Sequence, residues 1–269
     1  MWRLLFQLIT NHHSLTTKWS SMSLKSKNTG QLLVLDIDGV MIDPAGSFQV
    51  CTAMALKEMA PDLAWSDELY WGLKRIPGFN NDYCLTAAAL ALFEAGETES
   101  LHDAPDTGFP HLEKRMDELE PRCKEIMQFY YQVLKHLERP LITLTELEAI
   151  TDWNVAILTG RPPDELLLAF DVLGFEIPAV CDSCPEFRKP EPGGLLHLAD
   201  TYSANRICFV GDTRDDATCL RRARTAKPDI DFTFVAVNKL RYEISQPGDL
   251  IYETLREFIS SGKLGMAKN

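Results

Sequence analysis

The chain has 269 residues, which is enough for a main domain and a smaller second domain. Its 39 acidic and 27 basic residues give a formal net charge of −12, and this argues against the basic stripe that nucleic-acid binding needs. No apolar run approaches the length of a membrane-spanning helix, and no glycine-rich dinucleotide motif or Walker loop is present. We therefore expect neither nucleic acid nor a membrane as a partner.

Residues 1–30 form a segment that we expect to lie outside the fold, as a flexible tail or a targeting sequence. The segment contains no Asp or Glu, is rich in Ser and Thr, and has a short apolar stretch after Arg3. Transit peptides share these features, although they usually carry more Arg, and Met22 is an alternative start. We expect a cytoplasmic protein, with import into an organelle through this segment as the alternative.

The apolar run 32–35 predicts a buried parallel strand, and Asp36 and Asp38 follow it directly. Carboxylates at that end of a strand lie at the edge where open α/β sheets bind ligands. Two like charges this close repel each other unless a cation or a shared proton relieves them. Gly39 then allows a sharp turn without a Cβ clash. The motif indicates a ligand site, and a solvated turn rich in Asp and Gly is the alternative.

The next stretch, 47–139, has apolar residues at helical spacing and predicts a bundle of four or five helices. Prolines, among them Pro121, punctuate this pattern, and the polar stretch 98–108 is expected to be a loop. The turn at 74–83 is the most polar part of the stretch. It contains the candidates for contacts with a substrate, which are Arg75, Asn80, Asn81 and Asp82. A helix start capped by one of the two asparagines is the alternative interpretation of this turn.

After this stretch, apolar strands alternate with helices, a pattern that is typical of a parallel sheet. The expected strands lie at 155–158, 206–210 and 232–235. The expected helices lie at 143–150, 163–173, 192–202, 214–223 and 253–260.

Polar residues stand at the ends of these strands or the starts of these helices. They are Thr159, Gly160, Arg161, Lys189, Asp212, Asp215 and Asp216. Some of them have a structural alternative, since Thr159 can cap a helix and Lys189 can be a solvated loop residue. Asp215 and Asp216 can be first-turn acids that the helix dipole favours, and for Asp215 we prefer this role.

The order and spacing of these residues resemble the haloacid dehalogenase superfamily, in its phosphatase branch. The matching motifs are Asp36-x-Asp38, Thr159, Lys189 and Gly211-Asp212-x-x-x-Asp216. The resemblance runs from about residue 31 to about residue 262, and the stretch 47–139 resembles the helical cap of subfamily IA, which follows the first motif. It implies a Rossmann-like doubly wound parallel sheet with a smaller all-helical cap domain. The core would comprise 31–46 and 140–262, the cap 47–139, and a C-terminal tail 263–269.

The chemistry of such a site can be argued from the residue types. A phosphate monoester is anionic and repels nucleophiles, so the site must neutralise it and align the attack. Asp36 is placed to attack phosphorus and form an aspartyl-phosphate. Asp38 can protonate the leaving oxygen and later take a proton from water. Thr159 offers a hydroxyl donor to the phosphoryl group, and Lys189 offers a positive charge.

Mg²⁺ prefers hard oxygen ligands in an octahedral arrangement. We expect Asp36, Asp212 and the backbone carbonyl of Asp38 to bind it, and Asp216 to orient Lys189 or a metal-bound water. Gly160 and Arg161 are expected to contact the anionic substrate, whose attraction must come from local charge because the chain as a whole is acidic.

The predicted function is a Mg²⁺-dependent phosphatase that acts on a small phosphorylated metabolite, as a monomer or homodimer. Asp38 favours phosphoryl transfer over dehalogenation, because only an alkoxide leaving group needs a proton. A phosphomutase, or a catalytically silent binding or regulatory protein on the same fold, is the alternative.

Seven cysteines are present, and Cys181 and Cys184 form a CxxC pair without the second ligand pair that zinc needs. A reducing compartment is the simpler interpretation, and a redox role for this pair stays open.

Overall fold

The computed structural model describes residues 29–76, 78–101 and 107–265. The expected tail or targeting segment, 1–30, therefore lies outside the described residues except for its last two.

The described residues contain eight strands. They are β1 (Gln31–Leu35), β2 (Ile42–Asp43), β3 (Arg139–Pro140), β4 (Asn154–Leu158), β5 (Ala179–Val180), β6 (Arg206–Gly211), β7 (Asp231–Ala236) and β8 (Leu250–Ile251). Six of them form a parallel sheet in the order β5-β4-β1-β6-β7-β8. The other two, β2 and β3, pair in antiparallel orientation.

The same residues contain ten α-helices. They are α1 (Phe48–Met59), α2 (Asp67–Lys74), α3 (Asp82–Ala95), α4 (Glu113–Leu134), α5 (Leu144–Glu148), α6 (Pro163–Leu173), α7 (Gly193–Thr201), α8 (Arg214–Ala226), α9 (Arg241–Ile244) and α10 (Leu255–Ser260). None of the helices in the described ranges is both long and apolar enough to cross a membrane.

Both faces of the six-stranded sheet are covered by helices. In β1, Leu33 and Leu35 belong to one hydrophobic cluster, whereas Leu32 and Val34 belong to the cluster on the opposite face. Side chains from α5, α6 and α10 complete the first cluster, and side chains from α7, α8 and α9 complete the second. Burial on both faces explains why β1 is continuously apolar. The predicted fold class, a doubly wound α/β sheet, is confirmed.

The helices α1 to α4 lie between β2 and β3, and we call residues 47–138 the cap segment. Its hydrophobic residues form two clusters of their own, to which the core adds only the partly buried Leu168, and α4 packs along α1 and α3. The chain enters and leaves the cap segment through β2 and β3, which run side by side. The all-helical character predicted for this stretch agrees with the structure.

Three details of the cap segment differ from the sequence-based expectations. Pro121 lies inside α4 and does not end it, because packing against two neighbouring helices outweighs the lost backbone hydrogen bond. The stretch 98–108 begins with a short 3₁₀ helix, Thr98–Leu101, and residues 102–106 lie outside the described ranges. Phe129 and Val133 follow the helical pattern, but each is 60% exposed.

The helices that follow the cap segment agree closely with the predicted ranges. The helix predicted at 163–173 is α6, and α8 begins as predicted but extends to Ala226. Its start is fixed by a capping box, in which the Thr213 hydroxyl accepts a hydrogen bond from the Asp216 amide and the Asp216 carboxylate accepts one from the Thr213 amide. This cap also sets the position of the acidic residues discussed below.

Candidate active site

The candidate site lies at the carboxyl ends of three adjacent strands. The strand β1 pairs with β4 on one side and with β6 on the other, all in parallel. Asp36 follows β1, Thr159 follows β4, and Asp212 follows β6. Because parallel strands end at the same edge of a sheet, these three residues lie along one edge, which is the usual place for a ligand in an open α/β sheet.

Lys189 connects two carboxylates beneath this edge. Its Nζ lies 2.9 Å from Asp36 Oδ1 and 2.6 Å from Asp216 Oδ1. The Lys189 side chain is 1% exposed. Burial lowers the pKa of Lys189, but the charges of Asp216 and Asp36 outweigh this and hold the pKa above its ordinary value. Lys189 is therefore a permanent buried cation next to Asp36.

Asp216 uses both carboxylate oxygens for hydrogen bonds within the protein. Oδ1 accepts from Lys189, while Oδ2 accepts from the backbone amides of Asp212 and Thr213 and from the Thr213 hydroxyl. Of the two roles expected for Asp216, these contacts favour the orientation of Lys189 over direct binding of a metal ion. They also fix the loop that carries Asp212.

The carboxylates of Asp36, Asp212 and Asp216 are buried and offer oxygen atoms that all lie within 4.8 Å of one another. Asp36 Oδ1 accepts a hydrogen bond from the Ile37 amide, and Asp212 Oδ2 accepts one from Asn238. For the other oxygen of Asp36 and of Asp212, no donor is present among the described residues. Carboxylate oxygens are the hard ligands that Mg²⁺ takes, and Asp36 and Asp212 each have one that is free, so this part of the cluster fits such an ion.

The charges in this cluster are poorly compensated. Burial raises the pKa of Asp36 to about 7, although Lys189 opposes the shift. Burial and the nearby Asp216 and Asp36 raise the pKa of Asp212 well above its usual range. A bound cation would oppose both shifts, because it stabilises the ionised carboxylates.

Gly39 leaves the space that Asp212 occupies. Its φ is +73°, and a Cβ on this residue would lie 1.8 Å from Asp212 Oδ2. Glycine is therefore needed at position 39 for two reasons. The backbone conformation is left-handed, and the Asp212 carboxylate occupies the place of a Cβ.

Asp38 forms a two-pronged ion pair with Arg161. Arg161 Nε donates to Asp38 Oδ2 at 3.0 Å, and Nη2 donates to Asp38 Oδ1 at 2.7 Å. The other donors of Arg161 contact Tyr131 and Glu138, and its side chain is 2% exposed. Arg161 also lines the cavity, but its guanidinium group is buried and already paired, so direct contact with a substrate stays a prediction.

Thr159 and Gly160 lie where the sequence predicted. The Thr159 side chain is buried, and its hydroxyl oxygen accepts a hydrogen bond from the Arg161 amide at 3.1 Å, so the hydroxyl proton stays available for another acceptor. Gly160 lines the cavity above the site. Asn80 Nδ2, from the cap segment, lies 4.0 Å from the position of a Cβ on Gly160.

The cavity has a volume of about 470 Å³ and lies between the sheet edge and the cap segment. Asp36, Asp38 and Asp212 form part of its floor, and the cap segment adds several residues to its walls, among them Tyr70, Trp71, Lys74, Asn80 and Lys124. A volume of this size is suitable for a small organic ligand.

The four cap residues proposed as substrate contacts behave differently from one another. Arg75 is 54% exposed, pairs with Glu243, and is not among the residues that line the cavity, so the structure gives no support to its assignment. Asn81 caps α3 by accepting hydrogen bonds from two backbone amides, which is the structural alternative. Asp82 accepts hydrogen bonds from Lys74 and the Tyr70 hydroxyl. The side chain of Asn80 makes no hydrogen bond among the described residues and is the free polar group of this turn.

Asp215 has a role that the sequence did not reveal. It is a first-turn acid of α8, as expected, but it is also buried and its Oδ1 accepts a hydrogen bond from the Gly78 amide of the cap segment at 3.0 Å. The sequence held one signal for this contact. Asp215 and Asp216 are adjacent acids in the first turn of α8, and Asp216 alone completes the capping box, which leaves Asp215 without a role in the cap. The contact links the core to the polar turn of the cap segment.

Cys181 and Cys184 are both free cysteines and partly buried. Burial raises the pKa of Cys181, which makes its thiol less reactive. The redox role left open for this pair gains no support from the geometry.

Comparisons with known proteins agree with this geometry. Residues 31–224 match the family model of the haloacid dehalogenase-like hydrolases. The phosphatase Tt82 from Thermococcus thioreducens has a similar structure, with a TM-score of 0.64 and 21% identity over 88% of this chain and 100% of the other. Similar too is a structure from Haemophilus somnus described as a predicted phosphoglycolate phosphatase, with a TM-score of 0.60 and 17% identity over 88% of this chain and 100% of the other.

A hydrolase from Pseudomonas syringae is similar as well, with a TM-score of 0.60 and 19% identity over 87% of this chain and 97% of the other. At these identities the structures support the fold alone. Among curated proteins, none is similar enough in sequence to count as a match. Since the family model covers most of the chain and its strand-end residues meet in one site, the protein belongs to the haloacid dehalogenase-like hydrolase family.

Proposed function

We propose that this protein is a Mg²⁺-dependent phosphatase that hydrolyses a small-molecule phosphate monoester through an aspartyl-phosphate at Asp36. The observation that carries the proposal is the position of Asp36, which lies on the floor of the cavity with Lys189 2.9 Å away and Asp38 two residues further along the chain. A carboxylate paired with a fixed cation is able to meet an anionic phosphoryl group, which an isolated carboxylate would repel.

In the first step, an oxygen of Asp36 attacks phosphorus and the bond from phosphorus to the leaving oxygen breaks. Asp38 gives its proton to that oxygen, so the leaving group departs as an alcohol. In the second step, water attacks the aspartyl-phosphate, its proton passes to Asp38, and the bond between phosphorus and Asp36 breaks. Inorganic phosphate leaves, and Asp36 and Asp38 return to their starting states.

Lys189 and Thr159 act on the phosphoryl group without changing their own protonation over the cycle. Lys189 is held in place by Asp216 and supplies positive charge where negative charge accumulates. The Thr159 hydroxyl donates a hydrogen bond to a phosphoryl oxygen. Both side chains are buried, which strengthens these interactions relative to those in water.

Asp36 and Asp212 would hold Mg²⁺, together with the backbone carbonyl of Asp38. When bound, the ion supplies charge neutralisation between the nucleophile and the phosphate. The free oxygens of the two buried carboxylates support this assignment.

The substrate is proposed to be a phosphorylated metabolite small enough for the cavity of about 470 Å³. Some of the similar structures are described as phosphatases, which agrees with the proposed reaction class. Two further predictions remain untested, namely that the protein is a monomer or homodimer and that it is cytoplasmic.

The proposal is tested by phosphate release from p-nitrophenyl phosphate and from a panel of phosphorylated metabolites, with Mg²⁺ and with a chelator. We expect Mg²⁺-dependent release that is lost in Asp36→Asn, with a phosphoryl group trapped on Asp36 in the parent. Isomerisation of a sugar phosphate without phosphate release would favour a phosphomutase. Retained activity in Asp36→Asn, or in excess chelator, would contradict the proposal.

A further inference from the structure

Arg161 is a core residue whose guanidinium group lies at the base of the cap segment. It follows β4 and the motif residue Thr159, yet two of its polar partners, Tyr131 and Glu138, belong to the cap segment. Phe48, at the start of α1, stacks on Tyr131 at a centroid distance of 4.6 Å and lies 5.3 Å below the Arg161 guanidinium. The guanidinium group is therefore fixed by the cap segment as much as by the core.

Glu138 lies next to the place where the chain leaves the cap segment. It directly precedes β3, and its side chain is fully buried. One of its oxygens accepts a hydrogen bond from Ser47 at 2.7 Å, at the other end of the cap segment, while its other oxygen accepts one from Arg161 at 3.1 Å. Glu138 thus links the two ends of the cap segment, at Ser47 and at Glu138 itself, to the guanidinium group of Arg161.

The remaining donors of Arg161 hold Asp38. Both oxygens of the Asp38 carboxylate accept hydrogen bonds from Arg161, at 3.0 and 2.7 Å. Such a two-pronged pair defines the orientation of the carboxylate, whereas a single bond or a lysine would not. The chain of contacts runs from the cap connections through Glu138 and Arg161 to the residue that exchanges protons in the proposed reaction.

We propose that Arg161 is a positioning residue that orients Asp38, and that Glu138 and Tyr131 act on Asp38 through Arg161. The inference rests on the proposed phosphatase function and adds to it the way in which the proton-transfer group is held. It gives Arg161 a role through Asp38 that needs no direct contact with the substrate.

The consequence for the chemistry depends on the leaving group. When both oxygens of Asp38 accept from Arg161, Asp38 is oriented to take a proton from water. To donate a proton to a leaving group, one oxygen must be released while the other stays bound. Without the two-pronged pair, the Asp38 carboxylate loses its alignment, and a misplacement of about 1 Å can cost about 100-fold in rate. The rate should fall by this full factor only for substrates whose leaving group needs a proton from Asp38.

The test compares two esters of similar shape, phenyl phosphate and p-nitrophenyl phosphate. Phenolate is basic and needs protonation as it leaves, while nitrophenolate needs little. For Arg161→Lys we expect kcat to fall by about 100-fold on phenyl phosphate and by less than about 10-fold on p-nitrophenyl phosphate. Glu138→Gln and Tyr131→Phe should show the same preference in a milder form. Because these two variants nearly keep the size of the side chain, the inference can still be tested on them if Arg161→Lys does not fold.

A matched control is Arg256→Lys, which alters another two-pronged arginine pair, with Glu146, on the surface and away from the cavity. This variant should hydrolyse both esters like the parent. The double variant Arg161→Lys with Glu138→Gln should be no slower than Arg161→Lys alone, because residues that act through one another are not additive.

Equal losses on the two esters, or fully additive losses in the double variant, would overturn the inference and leave the proposed function intact. A parent protein that hydrolyses neither ester in the presence of Mg²⁺ would contradict the proposed function itself. The two failures are therefore distinguishable in the same experiment.

Discussion

Lys189 Nζ lies 2.9 Å from Asp36 Oδ1, and neither side chain is more than 4% exposed. The pair therefore faces the desolvation cost of two buried charges, which a single attraction only partly repays. Burial raises the pKa of Asp36 from 3.8 to about 7 even though Lys189 opposes this shift. Ionisation of Asp36, the proposed nucleophile, thus lowers the free energy of unfolding of the metal-free protein.

This cost predicts that Asp36→Asn stabilises the metal-free protein at high pH. The folded-state pKa is above 3.8, so the contribution of Asp36 to stability is complete below about pH 4 and is lost as the pH rises through about 7. Asn keeps the oxygen that accepts from Lys189 and the Ile37 amide and removes the charge. In a chelator, we expect Asp36→Asn to melt at a higher temperature than the parent at pH 8, with a much smaller gain at pH 5.

The control for this prediction is Asp171→Asn, at an exposed position on α6. It should leave the melting temperature nearly unchanged at both pH values. If the gain from Asp36→Asn were the same at pH 5 and pH 8, titration of Asp36 would not be its cause.

The parts of the molecule that depend on local sequence were predictable. The apolar run of β1 and the helix α6 could be located because burial on both faces and helical spacing leave a direct pattern in the chain. The strand ends that carry Asp36, Thr159 and Asp212 followed from the same pattern, since parallel strands end at one edge of a sheet.

The parts that depend on how the cap segment sits on the core were not predictable. Arg161 and Tyr131 are 30 positions apart, and Asp215 and Gly78 are 137 apart, so no local pattern records either contact. For the same reason the outward direction of Arg75 was missed. Helical spacing placed Phe129 on an apolar face of its helix. The spacing does not indicate which face packs against the rest of the protein, and Phe129 is exposed.

The close approach of Gly39 to Asp212 predicts that Gly39→Ala damages the metal site. A Cβ would lie 1.8 Å from Asp212 Oδ2 and 2.8 Å from Asn238 Nδ2, so the carboxylate must move. We expect loss of hydrolysis and of the increase in melting temperature that Mg²⁺ gives to the parent. Thermal unfolding with and without Mg²⁺ measures this directly.

Gly174→Ala is the matched control for this substitution. Gly174 has φ of +77°, close to the +73° of Gly39, but apart from its chain neighbours no atom of the described residues lies within 4 Å of a Cβ placed on it. Both variants bear the cost of a left-handed residue, roughly 1 kcal/mol, and only Gly39→Ala disturbs Asp212. An equal response of the two variants to Mg²⁺ would show that the predicted collision has no effect on the site.

The hydrogen bond between Asp215 and the Gly78 amide predicts a role in holding the polar turn of the cap segment over the cavity. Asp215→Ala removes the acceptor, and we expect kcat/KM for the best metabolite to fall by about 10-fold, the scale of one lost buried hydrogen bond. Asp215→Asn keeps an oxygen acceptor and should retain nearly the parental value. A loss of the same size in both variants would mean that the charge of Asp215, and not this bond, is what matters.

The neighbouring residues Asn80 and Asn81 are predicted to differ in what their loss affects. Asn81 accepts hydrogen bonds from the amides of Tyr83 and Cys84 at the start of α3, so Asn81→Ala should lower stability by about 1 kcal/mol. The Asn80 side chain has no such partner among the described residues and lies beside Gly160 in the cavity. Asn80→Ala should therefore keep the melting temperature and change the ranking of the metabolite panel. Each variant is the control for the other, because thermal unfolding and the panel are measured on both. If Asn81→Ala altered the ranking and Asn80→Ala did not, the prediction would be contradicted, and Asn81, which also lines the cavity, would be the residue that acts on the substrate.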